Sequence, residues 1–240
     1  MPSIIVPARY ESSRFPGKPL AIINGKEMIL HTLDGCAKAV GKDNVYVATD
    51  DKRIEKVVTG NGYKCIMTDG YFATGCDRVA YAAQFIDDDI IINVQGDEPL
   101  VSPEDIAKAI REKRNYHDHV INCYVFDNDM DEKGNKNTPK CIVKENYTGE
   151  LMYATRQPCP TGAKIFKRQA CIYAFYRNQL LSIYGKDKQK TTLEACEDIE
   201  ILRCIESNQR VMMIKLKNKY QSVDVPEDVE KVERILNERD

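Results

Sequence analysis

The chain has 240 residues, 42% of them apolar and 30% charged, with no tryptophan. That composition supports one full hydrophobic core at the upper end of single-domain length and excludes a disordered chain. A formal net charge of −2 excludes the broad basic face that duplex nucleic acid requires, and no apolar run approaches the roughly 20 residues that span a bilayer.

The first half alternates short apolar runs with helical patterns. Ser3–Pro7, Asn44–Thr49, Lys64–Met67 and Asp89–Val94 are rich in Val and Ile, as strands buried on both faces of a parallel sheet are. Between them, Met28, Leu30, Leu33, Cys36, Ala37 and Val40 fall near helical spacing, as do Ile54, Val57 and Val58, and then Cys76, Val79, Ala80 and Ala83. Such βαβ alternation predicts a Rossmann-like three-layer α/β/α sandwich with a mostly parallel mixed sheet. In the second half His119–Val125, Lys140–Lys144, Met152–Thr155, Cys171–Phe175 and Arg210–Lys215 read as strands. The polar stretch Asp127–Thr138 reads as an exposed loop, Thr192–Ser207 as one helix, and a final helix follows Pro226, which suits a first helical turn.

The nine cysteines run from Cys36 to Cys204 without a CxxC pair. That is the pattern of idle or buried thiols in a reducing cytosol, not of a disulfide framework or a zinc site. Cys123, Cys141 and Cys159 have no His or Asp at useful spacing for a thiol nucleophile. No signal-peptide pattern opens the chain, so the expected location is cytoplasmic. His117 and His119 lie in a charged segment that reads as a solvated helix end, and His31 lies within a helical pattern.

Three segments carry chemistry. Val6–Leu20 follows the first strand and combines Arg9, Arg14 and Lys18 with Ser12 and Ser13 around Pro16 and Gly17. In an open α/β sheet this position binds ligands, and the basic groups with turn N–H groups suit a triphosphate. The loop is not a Walker A motif, because Lys18 precedes a proline and the glycine spacing is wrong. Asp97 closes the Asp89–Val94 strand at the same crevice and is a candidate Mg²⁺ ligand, a turn before Pro99 being the alternative. Asp224, just before the last helix, is a second candidate metal ligand, with a helix N-cap as its alternative role.

PARYESSRFPGKPL, ATDD, ATGCDR, NVQGDEPL, MYATRQPCP, LEACEDIEILR and SVDVPED occur in that order from the first strand to the last helix. The series resembles the 3-deoxy-manno-octulosonate cytidylyltransferase (CMP-KDO synthetase) family, of the nucleotide-diphospho-sugar transferase type, over almost the whole chain. The resemblance implies transfer of CMP from CTP to a sugar acid with Mg²⁺ as cofactor. It also implies one nucleotidyltransferase domain, whose smaller dimerisation and acceptor-binding part lies around 120–220, and a homodimer. It places Ala8, Arg9, Ser12, Ser13, Arg14 and Lys18 at the triphosphate, Thr74 and Arg78 in the nucleotide pocket, and Asp97 and Asp224 on the metal. Gln95, Arg156, Glu194 and Glu197 are implied at the sugar, Arg156 gripping its carboxylate. For the two glutamates a solvated helix face is the plain alternative. The chain departs from the pattern at Gln169, where the family has a sugar-facing histidine, at Cys171 in place of glycine, and at Cys76 in place of threonine. The nucleotide half therefore follows the family more closely than the acceptor half, and an amino or deoxy variant of the octulosonate stays open. So do a sialic-acid-type CMP transferase, a sugar- or polyol-phosphate nucleotidyltransferase, and a nucleotide-binding protein without catalysis.

Overall fold

A computed structural model describes residues 1–12, 14–145, 149–218 and 221–238. In chain order the first half contains β1 (Pro2–Ala8), β2 (Ile22–Ile23), β3 (Lys26–Glu27), α1 (Met28–Val40), β4 (Val45–Thr49), α2 (Lys52–Gly60), β5 (Lys64–Met67), α3 (Gly75–Ala83), β6 (Ile90–Val94) and α4 (Pro103–Asn115). The second contains β7 (Val120–Asp127), α5 (Met130–Gly134), β8 (Lys140–Val143), β9 (Leu151–Thr155), β10 (Phe166–Tyr176), α6 (Arg177–Ile183), α7 (Thr192–Glu197), α8 (Leu202–Glu206), β11 (Val211–Lys215) and α9 (Glu227–Asn237).

The central sheet runs β11-β7-β10-β6-β1-β4-β5, with β8 and β9 joined beyond β10. β1 pairs in parallel with both β4 and β6, and β4 with β5. β10 is antiparallel to β6 and to β7, so the sheet is mixed but mostly parallel, as the periodicity predicts. Two apolar clusters pack its faces. Ile4, Val6, Ile92 and Val94 point to the side covered by α1, α4 and α9; Ile5, Ala48 and Ile91 point to the side covered by α3, α6 and α8. Alternation along β1 thus fills both cores from one strand.

This topology places the site. The chain leaves β1 for β4 on one side and returns as β6 on the other, which opens a crevice beyond their carboxyl ends. Gly96 permits the close approach there: a Cβ on it would lie 2.9 Å from the Pro7 carbonyl oxygen. Because β10 is antiparallel to β6, its beginning rather than its end meets the crevice, and Gln95 N–H donates to the Cys171 carbonyl at 3.3 Å. The β10–β7 register shifts between Ala170 and Tyr173, a bulge whose carbonyls at Ala170 and Ile172 both accept from the buried Asn122 amide.

Three sequence expectations need correction. Thr192–Ser207 is not one helix: Asp198 adopts left-handed φ 52°, which ends α7 and separates it from α8. Asp127–Thr138 is not an exposed loop, since α5 lies within it, capped by Asp129, and Lys133 and Thr138 are buried. His119 is not a solvated helix end; it is buried with its ring nitrogen 3.0 Å from Glu150, while His117 stacks on Tyr176. The described cysteines are all free, and burial raises the thiol pKa values of Cys141 and Cys204 to about 12. No helix among the described residues is long and apolar enough to cross a membrane.

Candidate active site

Two cavities meet at the mouth of the crevice. One, of about 300 Å³, is lined by Ala8 at the end of β1, by the loop that follows (Arg9, Ser12, Arg14, Lys18), and by Thr74 and Arg78 at the cap and first turn of α3. The other, of about 350 Å³, is lined by Glu98, by Arg168–Cys171 at the start of β10, and by Asn137 and Lys231. Arg14, Gln95, Asp97, Arg156, Asp198, Glu200 and Asp224 line both and so form the wall between them.

The loop after β1 is held in a tight return. Gly17, at φ +72°, donates its N–H to the Tyr10 carbonyl at 2.9 Å, and any Cβ there would meet the Tyr10 ring at 3.0 Å. The Arg53 guanidinium covers that ring at 3.2 Å from its centre. The return aims Lys18 inward, where its ammonium donates to Asp97 Oδ2 at 2.6 Å and to the Val223 carbonyl at 2.9 Å. Arg14 donates to Asp224 Oδ1 at 3.1 Å and to Asn137 Oδ1 at 2.8 Å. Arg9 remains exposed on the cavity, and Ser12 accepts from the Phe15 N–H. Ser13 lies outside the described residues.

Asp97 and Asp224, 127 positions apart in sequence, are brought together by the Val223 N–H, which donates to the Asp97 carbonyl at 3.0 Å. Burial and then the Asp97 charge raise the Asp224 pKa, with Lys18 and Arg14 opposing. Asp224 is no N-cap: Pro226 holds the cap position of α9 and no side chain caps it, and Asp228 instead accepts the Asp224 and Val225 N–H groups. Glu98, next in chain to Asp97, is buried, and burial followed by the Asp97 charge pushes its pKa up to about 8. Such a carboxyl is protonated in the folded chain where it is ionised in the unfolded one. It therefore costs stability as pH rises from about 4.5 towards 8. Glu98→Gln is expected to flatten that decline, read from urea melts at pH 5 and pH 8.

The remaining candidates divide. Thr74 lines the first cavity, yet its hydroxyl is engaged with Asp77 as the α3 cap. Arg78 is buried, its guanidinium on Thr68 and on Asp50 Oδ2 at 2.7 Å. Gln95 stands in the shared wall, and Gln169 lines the second cavity while donating to Asn122 Oδ1 at 2.8 Å.

Arg156 is at the junction, but its guanidinium is engaged by main-chain carbonyls: Glu197 at 2.8 Å, Asp198 at 2.7 Å and Lys136 at 2.9 Å. It braces the walls rather than offering a free two-pronged edge to a carboxylate. Glu194 and Glu197 do not face either cavity, which corrects the implied sugar contacts. Glu194 is fully buried against Arg203, at 2.6 and 2.9 Å. Glu197 accepts from Tyr153, Thr155 and the Arg156 N–H, and so fixes the brace from behind. Glu197→Gln weakens charge-assisted bonds of this kind, and a loss of about 1–3 kcal/mol in urea unfolding is expected.

Sequence reading passed over Glu98, Arg168, Asp198 and Glu200, all of which line the cavities. Glu200 accepts from the Gly75 and Cys76 N–H groups at 2.8 and 3.1 Å, tying the α3 start to the α7–α8 break. Only the adjacency of Glu98 to Asp97 was visible in advance.

A family model described as cytidylyltransferase matches residues 3–219. The chain belongs to the cytidylyltransferase family. Among its cytidylyltransferase relatives, it is 38% identical to 3-deoxy-manno-octulosonate cytidylyltransferase of Myxococcus xanthus, over 98% of this chain and 96% of that one. It is 36% identical to 8-amino-3,8-dideoxy-manno-octulosonate cytidylyltransferase of Shewanella putrefaciens, over 97% of both chains. Its fold matches CMP:2-keto-3-deoxy-manno-octonic acid synthetase complexed with CTP at a TM-score of 0.88 and 31% identity, over 99% of both chains.

Proposed function

We propose that the chain transfers CMP from CTP to a 3-deoxy-octulosonate-type sugar acid and releases pyrophosphate. The observation that carries this is the shared wall: Asp97 and Asp224 stand between a cationic triphosphate-sized cavity and a second, polar cavity. The names of the relatives support CTP as donor and a sugar acid as acceptor.

In this reading Arg9, Arg14 and Lys18 take the triphosphate, and Lys18 and Arg14 exchange their carboxylate partners for phosphate oxygens. The acceptor lies in the second cavity, where Arg14, Arg168 and Lys231 supply positive charge for its carboxylate. Its anomeric hydroxyl oxygen gives up its proton to solvent and bonds to the α-phosphorus as the bond from that phosphorus to the bridging oxygen of the β-phosphate breaks, and pyrophosphate departs with that oxygen. Charge gathered on pyrophosphate falls on the cations of the first loop, which is where preorganised charge lowers a barrier.

The carboxylate pair fits Mg²⁺. Asp97 and Asp224 repel each other and each now borrows a cation, while no group of three or more His, Cys, Asp or Glu among the described residues forms a closed metal cage. Mg²⁺ takes one or two carboxylates and completes its shell with phosphate and water. Held by these two aspartates, the ion would neutralise the α-phosphate and acidify the attacking hydroxyl.

Pyrophosphate release measured over CTP, UTP, ATP and dTTP, each with sugar acids and sugar phosphates, tests the reading. Turnover confined to CTP with a 3-deoxy sugar acid is expected, and a chelator is expected to abolish it. Turnover with a sugar phosphate instead would refute the acceptor class. A homodimer belongs to the same proposal; Met152 on β9 and Ile165 before β10 are exposed apolar side chains suited to such a contact, and light scattering at twice the chain mass is expected.

A further inference from the structure

Glu98 is unlike every other acid at the site. Asp97, Asp224, Asp198 and Glu200 each meet a cation or backbone N–H groups. Glu98 is 5% exposed, and its Oε2 is a buried oxygen with no hydrogen-bond partner. A buried acceptor left unmet costs about 1–3 kcal/mol, so a protein that keeps one has a use for it. The residue lines the second cavity and not the first. Its main chain is fixed by the turn after β6, where its N–H donates to the Gln95 carbonyl at 3.2 Å and its carbonyl accepts from Val101 at 3.2 Å. On the opposite wall the β10 bulge, stapled by Asn122, brings Cys171 to the same cavity.

We infer that Glu98 is a specificity-determining residue, whose unmatched oxygen takes a hydrogen bond from a hydroxyl of the bound sugar acid. The inference rests on the acceptor reading above and deepens it. A hydroxyl there relieves an existing deficit, so the carboxyl group discriminates by the penalty of leaving it unmet. A ligand lacking that hydroxyl leaves the buried oxygen as lonely as it is in the free chain.

The test uses Glu98→Leu and Glu98→Asp in the full chain, with steady-state constants for both substrates and thermal melts. Glu98→Leu removes an unsatisfied buried group, so its melting temperature is expected at or above that of wild type, while the KM for the sugar acid rises about 10- to 100-fold and that for CTP stays within about twofold. Glu98→Asp keeps a carboxyl group but withdraws it by one methylene, and about a tenfold rise in the acceptor KM alone is expected. An unchanged acceptor KM in both variants overturns the inference. So does a parallel loss of CTP and acceptor binding with a lowered melting temperature, which marks a merely structural role. Wild type is the control that separates the two readings: no turnover with any sugar acid sinks the acceptor class, and this inference with it, whereas normal wild-type turnover with indifferent variants sinks the inference alone.

Discussion

Asp97→Asn is expected to fold normally and to lose about 10²- to 10³-fold in kcat/KM for CTP, about 3–4 kcal/mol of transition-state stabilisation. The residue stands in the wall shared by both cavities, its carboxylate on Lys18 at 2.6 Å and about one-third exposed. An amide keeps the shape and a hydrogen bond to Lys18, so the folding cost of a partly exposed pair is small. What it cannot keep is the negative charge that, with Asp224, would hold Mg²⁺ at the α-phosphate. Raising the Mg²⁺ concentration should recover part of the loss if, as proposed, the weakened step is ion binding. Circular dichroism with pyrophosphate-release kinetics checks both halves of the expectation. Wild-type turnover by the folded variant would remove Asp97 from the mechanism.

Arg203→Met is the variant with the largest expected effect on stability. The Arg203 side chain is 2% exposed and binds Asp77 at 2.6 and 3.0 Å and Glu194 at 2.6 and 2.9 Å. Against the burial that would lower its pKa, the two carboxylates raise it, so the guanidinium is firmly charged. Removing it strands two buried carboxylates, at a cost of about 3–5 kcal/mol. For a chain of this length that is a fall of about 10 °C in Tm. Asp77 also accepts from Thr74 and from the Gly185 N–H, so CTP binding should weaken along with the α3 start. Asp77→Asn and Glu194→Gln in the same chain should restore most of the stability, since a neutral set leaves no buried charge unmatched. Calorimetry of the single and triple variants distinguishes this from an ordinary packing loss.

Both variants bear on how far the sequence could be read. β1, β4 and β6 were legible because strands buried on both faces must be continuous runs of Val and Ile, β5 at the sheet edge because it is a short apolar run, and α1 because its apolar spacing follows the helical period. Asp97 and Asp224 were legible from the motifs around them, as was the cationic loop. Arg203, Glu194 and Glu197 were not. A buried ion pair looks in sequence like any charge on a helix face, and the partner that makes it structural, Asp77, lies 126 positions away. The break at Asp198 was equally hidden. Thr192–Ser207 has a helical pattern throughout, and it is tertiary demand — Arg156 on the Asp198 carbonyl, Lys190 on its side chain — that favours the left-handed turn there.

Local chemistry in the sequence determined the strand–helix alternation, the phosphate-suited loop with its obligatory turn at Gly17, and the chemical types of the residues at the crevice. Tertiary structure decided which charges remain available to a ligand. The antiparallel entry of β10 brings Gln169 and Cys171 to the crevice, and the fold spends Arg156, Glu194 and Glu197 on bracing it while leaving the Glu98 oxygen unmet. The physical reason is that local periodicity reports burial and backbone preference, whereas the fate of a charge depends on a partner that only the folded chain brings within reach.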